Sequence, residues 1–295
     1  MNLRKITLNI GLKEPVRLLH ISDTHICLAD ERDDQRKRDL ARSRGTFFHT
    51  DGAKRNNADP AFFPFPEDHL REQVAYAREN GLLLIHTGDV IDFVSEQNLE
   101  TAAEILSGTD YFLAPGNHEF SLYVGEAWED VPYKMQSFDH VQELLKIPLH
   151  FAVRQIGGLK LIAMDNTYYL FDEKQLELLK KELEDGLPVI LLLHTPLYTA
   201  EIFGKFLAMT NGVCAYLCGC PEECYAHFSS AERIRQQRAD APTKAMIDLI
   251  RSSSQIKGIF TGHKHIFHRH EFAPGVPQIL GGASYAGDAV QYEIY

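Results

Sequence analysis

Seven side chains with metal-binding chemistry are spread over five short segments of this chain. The segments are Asp23-Thr24-His25, Gly88-Asp89-Val90-Ile91-Asp92, Gly116-Asn117-His118-Glu119, His194-Thr195-Pro196 and Gly262-His263-Lys264-His265. Asp23, His25, Asp89, Asn117, His194, His263 and His265 offer carboxylate oxygens, imidazole nitrogens and one carboxamide oxygen, a ligand set for two adjacent cations. Imidazole is a borderline-soft ligand, so the mixture suits Mn, Fe, Zn, Co or Ni better than Ca or Mg. A carboxylate such as that of Asp89 has two oxygens and can bridge two cations. A pair of dications about 3.5–4 Å apart can clamp both oxygens of an in-line displacement at phosphorus. A single histidine is more often structural than a ligand, but recurrence beside glycines and at the ends of apolar runs reverses that expectation.

The elements that must aim these side chains are legible nearby. Leu18-Leu19-His20-Ile21-Ser22 runs into Asp23, Leu82-Leu83-Leu84-Ile85 precedes Asp89, and Val189-Ile190-Leu191-Leu192-Leu193 runs into His194. Short apolar runs bounded by turn residues read as buried strands. Ligands just past strand ends are where α/β folds place their sites. Further strands are expected over residues 1–10, 111–113, 159–164 and 256–260, and helices over 67–80, 96–106, 134–146 and 172–184. Alternation of strand and helix argues for an α/β architecture. The glycines before Asp89, Asn117 and His263 are expected to give the dihedrals of sharp turns. The charged stretch from Ala29 to Arg44 reads as a solvated helix face or a loop, and Phe47 to Pro66 as a loop lying back on the body.

With 295 residues, 44% hydrophobic and 24% charged, the composition is that of a soluble globular protein. A net charge of −11 argues against a general nucleic-acid binder, since phosphate-backbone affinity depends on Lys and Arg. It does not exclude a small phosphorylated substrate, because bound cations reverse the field locally. No stretch is long and apolar enough to insert in a membrane, and residues 1–10 alternate like a strand rather than a signal peptide. The cytoplasm is the expected compartment. The oligomeric state is not readable.

The five motifs, taken in order, resemble those of the calcineurin-like metallophosphoesterases over residues 23–265. The resemblance implies a four-layer αββα sandwich with two mixed β-sheets. It implies one metal held by Asp23, His25, His265 and bridging Asp89, and a second by Asp89, Asn117, His194 and His263. His118 matches the histidine near the leaving group, acting as general acid or positive donor, and Asp92 matches the carboxylate that orients it. The implied reaction is hydrolysis of a small phosphodiester or phosphomonoester by a metal-bridging hydroxide, with no phosphoenzyme. Phe93 and Pro115 stand where protein phosphatases of the family carry phosphate-clamping arginines, and Asp92 stands where purple acid phosphatases carry a tyrosine ligand. The His194-Thr195-Pro196-Leu197-Tyr198 block is closer to the bacterial branch similar to cyclic-nucleotide and small phosphodiester hydrolases. The competing readings are a nuclease acting on nucleic-acid ends and a non-catalytic metal-bearing scaffold.

A single domain over 1–295 is expected, with insertions at about 29–66 and 198–239 that border the site. Their basic residues Arg32, Arg36, Arg38, Lys205, Arg233 and Arg235 are candidate phosphate contacts. Cys214, Cys218, Cys220 and Cys224 have the spacing C-x3-C-x-C-x3-C, unlike common zinc ribbons; a structural Zn site, disulfides and unlinked thiols are the alternatives. His20, His86, His268 and His270 read as structural, and Glu119 as a hydrogen-bond partner at the edge of the core.

Overall fold

The computed structural model describes residues 1–124, 131–213 and 216–295. Two mixed sheets form the centre. The first has the order β1 (Asn2–Leu8), β11 (Asp288–Ile294), β2 (Val16–Ile21), β3 (Leu83–His86) and β4 (Tyr111–Leu113). The second has the order β5 (Phe151–Ile156), β6 (Leu159–Met164), β7 (Val189–Leu192), β8 (Ile256–Thr261), β10 (Val276–Gly281) and β9 (Phe267–Ala273). Strands β2, β3 and β4 run parallel, as do β6, β7, β8 and β10. Strand β11 lies between β1 and β2, parallel to the former and antiparallel to the latter.

Strand alternation distributes the apolar side chains between two cores. Ile190 and Leu192 of β7 pack with Leu18, Leu84 and Val290 of the first sheet, whereas Val189, Leu191 and Leu193 pack with Leu179, Met246 and Ile250. The former side is therefore the inter-sheet core, and the latter is covered by α5 (Glu173–Glu182) and α8 (Ala241–Ser252). Helices α2 (Pro66–Glu79), α3 (Glu96–Leu106) and α4 (Val131–Leu145) cover the first sheet through Leu70, Val74, Leu99, Ile105 and Val141. The four layers run helix, sheet, sheet, helix, as expected. Among the described residues no helix is long and apolar enough to cross a membrane.

One segment departs from the sequence reading. Residues expected to divide between a charged stretch and an aromatic loop form one long helix, α1 (Gln35–Arg55). Asp34 caps it by accepting from the Lys37 N–H at 2.9 Å. The helix shows little amphipathic pattern because its buried stripe is made of Gly45, Phe48, Gly52 and Ala53 rather than large aliphatics. A Cβ on Gly52 would meet Phe63 at 2.7 Å, so the glycine allows the helix to lie close against its neighbours. Arg55 donates to the His265 carbonyl at 2.7 Å, tying the end of α1 to the last motif.

Candidate metal centre

All five motifs follow the C-terminal ends of parallel strands: β2, β3 and β4 in one sheet, β7 and β8 in the other. Beyond β2 and β3 the two chains stay paired, with N–H donors of Asp23, His25 and Ile26 reaching the carbonyls of Gly88, Asp89 and Val90, each at 2.9 Å. Asp23 (φ 58°), His25 (53°), Asp89 (59°), His263 (76°) and His265 (53°) all adopt left-handed backbone. Such conformations cost non-glycine residues about 1–3 kcal/mol each and concentrate at functional sites. The strain thus falls on the candidate ligands. This corrects the expected role of the glycines. Gly88 does have φ +91°, but a Cβ on Gly116 would lie 2.2 Å from Asp89 Oδ1, and one on Gly262 would lie 1.8 Å from Ser22 Oγ. Those two are glycine because there is no room for a side chain.

Glu119 holds the second and third motifs together. Its carboxylate, fully buried, accepts from the N–H groups of Asp89 (2.8 Å), Val90 (2.6 Å), Ile91 (3.3 Å) and Gly116 (2.5 Å). Glu119→Ala should therefore leave these buried donors unpaired, each costing about 1–3 kcal/mol. The expected loss of about 3 kcal/mol or more is measurable by urea unfolding, together with lower metal content; a change below about 0.5 kcal/mol, the range of an ordinary surface substitution, would contradict this role.

The seven candidate ligands do converge. His25 Nε2 lies 3.0 Å from His265 Nε2 and 3.6 Å from Asp89 Oδ2, and His265 Nε2 lies 3.5 Å from Asp23 Oδ1. On the other side of Asp89, His194 Nε2 lies 3.3 Å from Asp89 Oδ2, 3.1 Å from Asn117 Oδ1 and 3.1 Å from His263 Nδ1. Asp23, His25, Asp89 and His265 form one group and Asp89, His194 and His263 another, with ligand atoms within 4.8 Å of one another in each. The tautomers fit. His194 Nδ1 donates to the Thr87 carbonyl at 2.7 Å and His25 Nδ1 to Asp92 Oδ1 at 2.9 Å, which leaves each Nε2 lone pair facing the cluster. Around His194 Nε2 one proton could bridge one neighbour, not all three acceptors. Four of these separations, from 3.0 to 3.3 Å, fall among the ligand–ligand edges of a shell with bonds of about 2.1 Å, roughly 3.0 to 3.4 Å, and the 3.5 and 3.6 Å pairs lie just beyond them. The residues present fit a pair of cations. With no cation bound, burial holds the Asp23 carboxyl above the usual carboxylate range.

Asp92 is the hub beside this cluster. Its buried carboxylate accepts from His25 Nδ1 and, through both oxygens, from Arg44 Nε (2.8 Å) and Nη2 (3.0 Å). His118 Nδ1 lies 2.7 Å from the Asp92 carbonyl and 3.2 Å from its Oδ1. Burial alone would raise Asp92, but the charge of His118 and the donors of His118, His25 and Arg44 hold it well below the carboxylate range. The reciprocal effect on His118 is large: burial opposes its charge, yet Asp89 and Asp92 lift it to about 10. His20 and His86 are structural, as expected; burial depresses each to about 3. His86 accepts the Gly88 N–H at Nδ1 (3.0 Å) and has Thr24 Oγ1 at 2.9 Å from Nε2, so it braces two motif loops.

A cavity of about 220 Å³ opens onto the cluster, lined among others by Arg44, His118, Tyr169, Tyr216, Arg233 and Lys264. Of the basic residues singled out from sequence, only Arg233 lines it. Arg32 pairs with Asp30 and Glu100, Arg36 lies over the Tyr123 ring, Arg38 donates to the Asp33 carbonyl, and Arg235 pairs with Glu232; Lys205 is not in the lining. Arg44, Tyr169 and Lys264 were missed. Nothing in the sequence marks Arg44, one charge among many at the end of the stretch from Ala29 to Arg44. His268 lies beside Glu201, and His270 Nε2 lies 2.9 Å from the amide of Gln278, both remote from the cluster.

The cysteines do not support a zinc site. Cys218 packs in the outer core of the second sheet, whereas Cys220 and Cys224 belong to a separate apolar cluster with Ile202, Phe206 and Leu217. All three are buried, and among the described residues they join no group of three metal-ligating side chains. Cys214 lies outside the described residues.

Solved structures similar to this chain show the fold. A dimetal phosphatase from Danio rerio superposes with a TM-score of 0.51 at 14% identity, over 94% of this chain and 91% of that one. A purple acid phosphatase from yellow lupin gives 0.49 at 11% identity over 95% of this chain, and a Haemophilus influenzae NAD nucleotidase gives 0.44 at 14% over 92%. The chain spans about half of those two, 45% and 46% of their lengths. No curated protein matches the sequence. The sequence model of the calcineurin-like phosphoesterases, however, matches residues 16–267, which takes in every motif above. The chain belongs to the calcineurin-like phosphoesterase family and is a metal-dependent phosphoesterase.

Proposed function

We propose that the chain hydrolyses a small phosphoester, diester or monoester, with two transition-metal ions. One is held by Asp23, His25, His265 and Asp89, the other by Asp89, Asn117, His194 and His263. The observation that carries this reading is the convergence of donor atoms on both sides of the Asp89 carboxylate. Bound there, the cations would acidify water and neutralise phosphoryl charge. The chain's own residues do the rest. His118 has Nδ1 committed to Asp92, so Nε2 is the nitrogen available to protonate the leaving oxygen. Asp92 fixes the ring of His118 and that of His25 with one carboxylate. The left-handed backbone at Asp23, Asp89 and His263 sets the ligands before any cation arrives, so little reorganisation is needed.

A cavity of about 220 Å³ and a net charge of −11 favour a small ester over a nucleic-acid end. We read residues 1–295 as one catalytic domain, with 29–66 and 198–239 as segments that set substrate access. Support comes from Arg44 of the first and Tyr216 and Arg233 of the second, which line the cavity. The cytoplasm is the compartment we infer, since five cysteines, an odd number, do not suggest a disulfide-built scaffold; fractionation that finds the chain in an oxidising compartment would refute it.

The test is a hydrolysis screen after chelation and reloading with Mn. It would compare cyclic nucleotides, nucleoside monophosphates, phospholipid head-group diesters and bis(p-nitrophenyl) phosphate. Turnover that EDTA abolishes and Mn restores is expected for at least one class. Metal at about 100 times its Kd should also stabilise the fold by about 2.7 kcal/mol, read as a higher Tm. No hydrolysis of any ester by the metal-loaded chain would contradict the reading.

A further inference from the structure

We propose that one face of α1, a helix outside the five motifs, sets the affinity of the cation held by Asp23, His25, His265 and Asp89 and leaves the other cation to other elements. This rests on the dimetal reading and adds to it a set of positioning residues for one of the two cations. Arg44, Phe48, Asp51 and Arg55 stand at i, i+4, i+7 and i+11 of α1, which places them on one stripe of the helix. Each meets a ligand of that cation or a residue that touches one. Arg44 donates to both oxygens of Asp92, and Asp92 Oδ1 accepts from His25 Nδ1 at 2.9 Å. The Phe48 ring stacks on that of His25, with centres 4.4 Å apart and planes 14° from parallel. Asp51 accepts from the Tyr285 hydroxyl at 2.7 Å, and the Tyr285 ring meets that of His265 edge-on at 5.3 Å. The Tyr285 N–H in turn donates to the Asp23 carbonyl at 3.2 Å. Arg55 donates to the His265 carbonyl at 2.7 Å.

The two ligand groups differ in how much bracing they need. Asp23, His25 and His265, the ligands proper to the first cation, all have left-handed backbone, with φ of 58°, 53° and 53°. Of Asn117, His194 and His263, proper to the second, only His263 does. Such backbone persists only where its surroundings over-determine it, and for the first group α1 supplies those surroundings. Phe48 and Tyr285 are fully buried, so neither ring can swing aside to let His25 or His265 turn. Among the described residues, none of the four on the stripe makes a hydrogen bond, ion pair or ring contact with Asn117, His194 or His263. The second group is held from elsewhere: His194 Nδ1 donates to the Thr87 carbonyl, and the Tyr169 hydroxyl lies 3.3 Å from His263 Nε2.

The test is calorimetric Mn binding to the chelator-treated full chain in two single-site backgrounds. His263→Ala keeps the first ligand group, and His265→Ala keeps the second. Arg55→Met, at a partly exposed position, removes the donor to the backbone of residue 265, and Phe48→Leu removes the ring over His25. In the His263→Ala background each should weaken Mn binding about tenfold, the low end of the roughly 10–100-fold that follows loss of a residue supporting a metal ligand. In the His265→Ala background each should change it by less than about twofold. A substitution that merely loosened the fold would weaken both backgrounds alike and lower the Tm of the metal-free chain. Weakening by less than about threefold from both substitutions in the first background, or equal weakening in the two backgrounds, would overturn the proposal. A wild type that binds fewer than two Mn would overturn the dimetal reading and this inference with it. Two Mn bound, with no difference between the backgrounds, would overturn this inference alone.

Discussion

Asp89→Ala is expected to abolish hydrolysis and strip the site of metal. Its Oδ2 lies 3.6 Å from His25 Nε2 and 3.3 Å from His194 Nε2, so it stands in both groups of donors. Its Oδ1 accepts the His118 N–H at 3.0 Å, and its own N–H is anchored on Glu119. No other carboxylate is common to both groups among the described residues. Removing it should weaken metal binding by more than the roughly 10–100-fold that follows loss of a residue merely supporting a ligand. Asp89→Asn keeps the size but halves the anionic donors and should fail too. Activity assays with metal analysis on the purified variants check both, and a fully active, metal-replete Asp89→Ala would refute the proposed site.

His118→Ala should behave differently. The metal complement stays and turnover falls by on the order of 10²–10⁴-fold, the usual contribution of a general acid. The pH dependence carries the same assignment. His118 must be protonated to donate, and its pKa is raised to about 10 by Asp89 and Asp92, against burial. The donor form is therefore present at neutral pH and lost as pH rises through that value. Cations on Asp89 cancel part of this support, so the alkaline limb of kcat/KM in the loaded enzyme falls below 10. Asp92→Asn removes the remaining counter-charge and should move the limb to lower pH. An unmoved limb would show that Asp92 does not set the titration of His118.

Much of this was legible before the structure because metal ligands are chemically conspicuous and sit where apolar runs stop. The strands ending at Ile21, His86 and Leu192 are short, buried at nearly every position and bounded by turn residues, so pattern alone fixes them. Glu119 was legible as a core-edge partner, though not as the acceptor that binds Asp89, Val90, Ile91 and Gly116 together. The half of helix α1 beyond Arg44 was illegible because its buried face is glycine and alanine around Phe48, which leaves no aliphatic periodicity to read. Arg44 was lost with it, since a charged residue among many charges signals nothing until its partner Asp92 is adjacent. The insertion of β11 between β1 and β2 is a pairing across the whole chain, which local pattern does not encode.

The most direct measurement is anomalous diffraction from a crystal of the Mn-loaded protein, collected at the Mn edge. Two peaks about 3.5–4 Å apart are expected on either side of the Asp89 carboxylate. One should be ringed by Asp23, His25 and His265, the other by Asn117, His194 and His263. A single peak, no peak, or metal bound at the Cys218–Cys224 segment instead would contradict the dimetal assignment.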